Sequence, residues 1–158
     1  MKKAIFVFLT CFVLFAVNAQ NGQLSLGVNL GIPVSSTSKV SSFVMNAEVN
    51  YLFQSSGGFK IGPSISFSHF VGKNGGNILS YLPLAIAARF SYSNRFSLGA
   101  DVGYGFAIKP QSAENGFYYR PIIIYHLNRF MQLSASFSVI SKINASVTNA
   151  NVGLVFLL

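Results

Sequence analysis

Beyond residue 19 the chain has no cysteine, tryptophan is missing throughout, and only three acidic side chains occur in 158 residues. Each shortage removes a class of explanation. Without thiols after Ala19, neither disulfides nor thiol chemistry can act in that part of the chain. With Lys2 and Lys3 set aside, nine basic residues face three acidic ones, a net charge of +6. Those charges are sparse and mostly isolated, whereas nucleic-acid binding needs a concentrated basic patch, so no nucleic-acid partner is expected. A third shortage concerns long greasy runs. A spanning helix needs ~20 consecutive apolar residues, and although 51% of the chain is apolar, no stretch after Ala19 approaches that pattern.

The apolar content has two other forms. The first is a leader: Lys2 and Lys3, an apolar run from Ala4 to Val17, and then Val17-Asn18-Ala19, small or β-branched groups where a signal peptidase reads. Residues 1–19 are therefore expected to be a cleaved signal peptide and 20–158 a single domain. An uncleaved anchor is the alternative, but the run is short for one. Cys11 is an unconvincing lipidation site, because Leu9 and Thr10 ahead of it make a poor lipobox and cleavage there would fall inside the run.

The second form is alternation. From 23 to 34, Leu24, Leu26, Val28, Leu30, Ile32 and Val34 share one strand face, and Gln23, Ser25, Gly27, Asn29 and Gly31 share the other. The same period of two recurs near 43–54, 59–71, 79–91, 96–107, 117–127, 130–140 and 147–158. Eight such strands with no helical core to pack against must bury their apolar faces in something oily, and lipid is the simplest candidate. The connections alternate too: very short near 55, 93 and 128, longer near 38, 75, 112 and 143. Short turns on the periplasmic side, longer loops outside and an even strand count describe an outer-membrane barrel. The expected fold is thus all-β, an eight-stranded antiparallel up-and-down transmembrane β-barrel. A lipocalin-like soluble cup is the alternative, and it would reverse the polarity of the two faces. Rings such as Phe43, Tyr51, Phe53, Phe90, Tyr92, Phe96, Tyr125 and Phe156 lie near strand ends, where the headgroup zone suits them. Pro63, Pro83 and Pro121 fall inside strands, and since proline cannot donate to a ladder, local bulges are expected there.

Tyr81-Leu82-Pro83-Leu84 with the strand that follows, and Gly99-Ala100-Asp101-Val102-Gly103-Tyr104, resemble the central hairpin of the PorT-like, porin-family outer-membrane β-barrel domain of Bacteroidetes-type bacteria. The resemblance covers the chain after the leader in architecture and this hairpin in motif. It implies fold and location rather than an activity. The barrel architecture makes barrel-assembly machinery the expected biogenesis partner, although the terminal strand, ending Phe156-Leu157-Leu158, departs from the final aromatic by which that machinery reads its clients.

Inside the barrel, alternation places Glu48, Lys60, Arg89, Asp101 and Arg120, with His126 near the periplasmic end. Eight strands leave room for little more than side chains, and an isolated buried ion is costly, so each charge needs a partner or water. Counted from the short turns, Glu48, Asp101 and Arg120 share one depth and Arg89 lies slightly lower, which predicts an ion-pair cluster of Glu48, Arg89, Asp101 and Arg120 filling the lumen. A narrow pore gated by that cluster is the alternative. Each longer loop carries one lysine: Lys39, Lys73, Lys109 and Lys142. These are candidate contacts for lipopolysaccharide phosphates and the surrounding lipid, or simply solubilising charges. Loops this short favour no large protein partner.

No catalytic constellation stands out. Ser68 and His69 adjoin, but neighbours on a strand point to opposite faces. His126 has no second ligand at metal-binding spacing, Asn144-Ala145-Ser146 is a weak glycosylation sequon, and no cofactor is expected. The reading is a non-enzymatic structural or interaction protein of the outer membrane, with the narrow pore as runner-up.

Overall fold

The computed structural model describes residues 22–73, 78–110, 112–143 and 145–158, so the leader, its cleavage point and Asn144 lie outside the described residues. Eight strands close on themselves: β1 (Gly22–Val34), β2 (Ser41–Gln54), β3 (Phe59–Gly72), β4 (Leu79–Ser91), β5 (Phe96–Lys109), β6 (Gly116–His126), β7 (Met131–Ser141) and β8 (Ser146–Leu157). Each pairs antiparallel with its neighbours in sequence, and β1 pairs with β8, from Ser25 opposite Leu157 to Val34 opposite Thr148. Closure leaves no edge strand, the condition for a sheet in lipid.

Polarity is inside-out. Leu30, Ile32, Ile86, Phe117, Ile123 and Val152 are among the many large apolar side chains on the outer surface, while Ser25, Asn29, Asn46, Asn50, Ser64 and Ser66 are buried inside. That is the reverse of the soluble cup and is stable only where the exterior solvent is oily. Outward rings group at both ends: Tyr51 against Phe53 and Phe96 against Tyr125 toward the short turns, Tyr104 against Phe106 and Phe117 against Tyr119 toward the longer connections.

The turn from β2 to β3 is tight because Gly57 and Gly58 adopt φ values of 73° and 78°, a region closed to most residues with a Cβ. On the opposite rim, a single-turn 3-10 helix, Ser35–Lys39, links β1 to β2 and accepts the backbone N–H of Thr148 at Thr37 Oγ1, 3.0 Å away.

The expected proline bulges do not form. Past Pro63 the β2–β3 ladder steps from Asn50–Ser64 to Phe53–Ile61 without a shift, and past Pro121 the β6–β7 ladder steps from Tyr119–Val139 to Ile122–Ser136 likewise. Past Pro83 the β3–β4 ladder runs from Ile65–Leu84 to Ser68–Tyr81 in constant register. A strand residue aims its N–H at one neighbour only, so proline removes one rung on one side and the register survives. The register shifts lie elsewhere, between Ser41 and Phe43 and between Ser80 and Tyr81. Lys109, assigned to a loop by sequence, is the last residue of β5 and pairs with Ser80 across the second shift.

Candidate functional site

The lumen is layered along the barrel. Its middle layer contains the four ions singled out by depth. Asp101 on β5 stands directly opposite Arg120 on β6. Arg120 donates to Asp101 Oδ2 from Nε at 2.8 Å and from Nη2 at 2.5 Å, a forked contact that suits a carboxylate. Arg89 on β4 donates through Nη1 to Asp101 Oδ1 at 2.5 Å and to the Ala88 carbonyl at 2.9 Å. Arg120 Nη2 also pairs with Glu48 on β2. Since β2 and β6 are four strands apart in an eight-strand cylinder, that last pair crosses the lumen. All four side chains are buried, and two carboxylates against two guanidiniums make the layer neutral. Neither carboxylate oxygen of Glu48 accepts a hydrogen bond, so the ion pair with Arg120 is what holds that carboxylate.

Two glycines make the arrangement possible, and sequence reasoning missed their role. Gly27 is the register partner of Glu48, and a Cβ on it would lie 2.6 Å from Glu48 Cγ. Gly99 is the register partner of Arg89, and a Cβ there would lie 2.5 Å from Arg89 Cδ and from the Ala88 carbonyl oxygen. A long ion inside a narrow barrel needs a bare backbone opposite it, and a glycine at the paired position was the available signal.

An asparagine belt sits beside the ions. Asn46 Nδ2 on β2 donates to Asn151 Oδ1 on β8 at 2.8 Å, passing over β1 at Gly31, where a Cβ would fall 2.1 Å from that oxygen. Asn149 donates to the same oxygen at 2.6 Å, and Ser134 donates to Asn29 Oδ1 at 2.9 Å.

Toward the longer connections the interior turns apolar: Val44, Phe70, Tyr81, Tyr118, Ile140 and Val147 form one buried cluster. The ion-pair cluster expected to fill the lumen therefore occupies only its middle, and this end is filled by apolar side chains. At Phe43-Val44-Met45, His69-Phe70-Val71 and Val139-Ile140 the alternation lapses because both faces meet apolar surroundings. The Tyr81 hydroxyl donates to the Glu114 carbonyl at 3.3 Å, closing the layer against the β5–β6 connection.

Toward the short turns the lumen opens into a chamber of about 40 Å³ lined in part by Gln23, Lys60, Ser97, His126 and Gln132. Lys60 Nζ donates to Gln23 Oε1 at 2.9 Å, and His126 lies between Ser97 Oγ, 2.8 Å from Nε2, and Gln132 Nε2, 3.1 Å from Nδ1.

The four rim lysines are unlike one another. Lys73 Nζ donates to the Ser38 carbonyl at 2.7 Å, and Lys142 Nζ stands 5.5 Å above the Tyr81 ring. Lys39 and Lys109 are exposed. Ser68 and His69 do point apart, and His69 Nδ1 instead meets Ser80 Oγ at 3.0 Å. Ser80 is only 2% exposed, and Glu48 and Asp101 are both engaged in the ion layer. Among the described residues, no three His, Cys, Asp or Glu side chains gather as a metal site.

No protein family and no curated protein matches the sequence. Solved structures do match. Ail, the attachment invasion locus protein of Yersinia pestis, is 12% identical with a TM-score of 0.65, over 87% of this chain and 97% of that one. The N-terminal β-barrel domain of Pseudomonas aeruginosa OprF is 9% identical with a TM-score of 0.58, over 88% and 98%. A de novo designed transmembrane β-barrel is 10% identical with a TM-score of 0.57, over 88% and 98%. The fold is therefore that of small outer-membrane β-barrels.

Proposed function

We propose that the chain is an integral outer-membrane protein, delivered by a cleaved signal peptide and inserted by barrel-assembly machinery, with a structural or interaction role and a lumen plugged by its own side chains. The observation that carries the plug is the Arg120 bridge from Asp101 on one wall to Glu48 on the opposite wall, backed by the apolar layer. A path for ions would have to break buried pairs whose separation is expensive.

At the outer rim, lipopolysaccharide phosphate is the natural counter-ion for Lys39 and Lys109, whose ammonium groups are exposed. Lys73 and Lys142 are partly engaged and play a secondary role there. The protein is not an enzyme on this reading, because Ser97 and Ser80, which meet His126 and His69, are both buried, and His126 turns its other ring nitrogen to Gln132 rather than to an acid. The resemblance carried by the Tyr81–Leu84 and Gly99–Tyr104 hairpin supports a place in the PorT-like group of porin-family barrels.

Planar-bilayer recording with the purified protein tests the plug: no steady conductance is expected, and wild-type openings altered by Arg89→Gln would favour a narrow pore instead. That second reading draws on the chamber at the short-turn end. Heat-modifiable migration of detergent-extracted protein tests the membrane placement, and a chain that stays monodisperse in plain buffer would refute it.

A further inference from the structure

The short-turn rim presents a chemistry that neither the lumen nor the outer lysines use. Arg95 lies in the turn between β4 and β5, and Arg129 in the turn between β6 and β7. These turns are neighbours because β5 pairs with β6, and the His126 backbone N–H donates to the Arg95 carbonyl at 2.8 Å, tying one turn to the base of the other. Both guanidiniums are exposed, and neither has an ion-pair partner among the described residues. The acidic side chains are remote: Glu48 and Asp101 are buried in the ion layer, and Glu114 sits in a connection at the opposite end. This rim therefore carries cations with no acidic side chain to neutralise them.

Apolar groups flank those cations. Tyr92 is 77% exposed and Phe130 70% exposed in the same two turns, with Leu127 beside them and the Phe96 and Tyr125 rings 5.0 Å apart just above. Exposed rings of this kind sit at headgroup depth. Their level fixes where Arg95 and Arg129 stand, which is at the phosphates of the adjoining leaflet. A planar guanidinium grips a phosphate through two parallel N–H groups, which a lysine ammonium cannot do.

We propose that Arg95 and Arg129, with Tyr92 and Phe130, form a binding site for an anionic phospholipid of the periplasmic leaflet, the guanidiniums holding the phosphodiester and the rings bracketing the glycerol and upper acyl chains. The inference rests on the membrane placement proposed above. A zwitterionic lipid carries its own cation at the phosphate and leaves the paired arginines uncompensated, so a net negative headgroup is required.

The test uses the full chain, processed as the cell processes it and extracted in a non-ionic detergent, titrated with phosphatidylglycerol, phosphatidylcholine or inorganic phosphate and read by native mass spectrometry of retained adducts. Phosphatidylglycerol is expected to be retained over phosphatidylcholine. Affinity should drop roughly fivefold for Arg95→Gln alone and about 25-fold with Arg129→Gln added, with no change for Ser112→Ala, exposed in the β5–β6 connection at the opposite rim. Tyr92→Ala with Phe130→Ala should weaken lipid retention as well. Equal retention of phosphatidylglycerol by the double arginine variant and the wild type overturns the proposal, as does inorganic phosphate competing as well as the lipid. Heat-modifiable migration of every variant verifies that the barrel has formed. If the membrane placement itself were wrong, the wild type would need no detergent, an outcome distinct from any lipid ranking.

Discussion

The two ends of the lumen solve the same filling problem by different means. Near the longer connections, Val44, Phe70, Tyr81, Tyr118, Ile140 and Val147 exclude water by packing. Nearer the short turns, Arg89, Asp101, Arg120 and Glu48 fill the bore with charges that neutralise each other, above a small chamber lined by both polar and apolar side chains. Packing degrades gradually as atoms are removed, because each lost methylene forfeits only its own contacts. A charge cluster fails abruptly, because taking away one member strands the others in a low-dielectric space. The ionic layer should therefore be the more brittle half, and the apolar layer the more forgiving.

The most severe test is Arg120→Met. It leaves Glu48 with no partner and Asp101 with only Arg89, and ~3–5 kcal/mol of stability should be lost, read from urea unfolding in detergent or lipid. If the loss were smaller than that of an apolar truncation, the contrast between the halves would fail. Ile140→Ala comes next, with an expected loss of about 2–3 kcal/mol for a buried aliphatic side chain. Gly99→Val follows, costing roughly 1–3 kcal/mol by overpacking and, more tellingly, pushing Arg89 off Asp101. Combining it with Arg89→Ala should recover only the part of that loss that comes from the Arg89 side chain, since the Ala88 carbonyl still crowds the added Cβ, and an additive result would show that Gly99 serves the Ala88 backbone alone. Smallest of all is Lys60→Gln at the mouth of the chamber, where an amide can still reach Gln23, and a change within about 0.5 kcal/mol is expected. A large effect there would mean that the chamber belongs energetically with the ions above it.

The strands and their sidedness were readable in the sequence because a period of two survives any choice of register, and the strand-end count put Glu48, Asp101 and Arg120 at one level before any contact was seen. Three features were not readable, each for a physical reason. The roles of Gly27 and Gly99 depend on which residues face each other across a ladder, and alternation does not state register. The apolar layer hides where both strand faces are greasy, so no polar partner marks the inside. The unbulged prolines reflect the one-sided direction of each N–H, a property of the pleat rather than of composition. The rim lysines looked equivalent as letters, yet Lys142 leans over Tyr81 while Lys109 ends a strand, a distinction set by neighbours far away in sequence.

The contact that carries Asn46 over Gly31 to Asn151 has a consequence for how the cylinder resists opening. The joint between the first and last strands is the one place where the hoop was ever two loose ends, and it is the natural place for it to part sideways into the bilayer. Here a third strand reaches across the joint and is fastened on the far side, from within. A force that peels β8 from β1 must also pull that fastening through a space where no lipid can follow to replace it, so the weakest join in the wall is the one latched from inside.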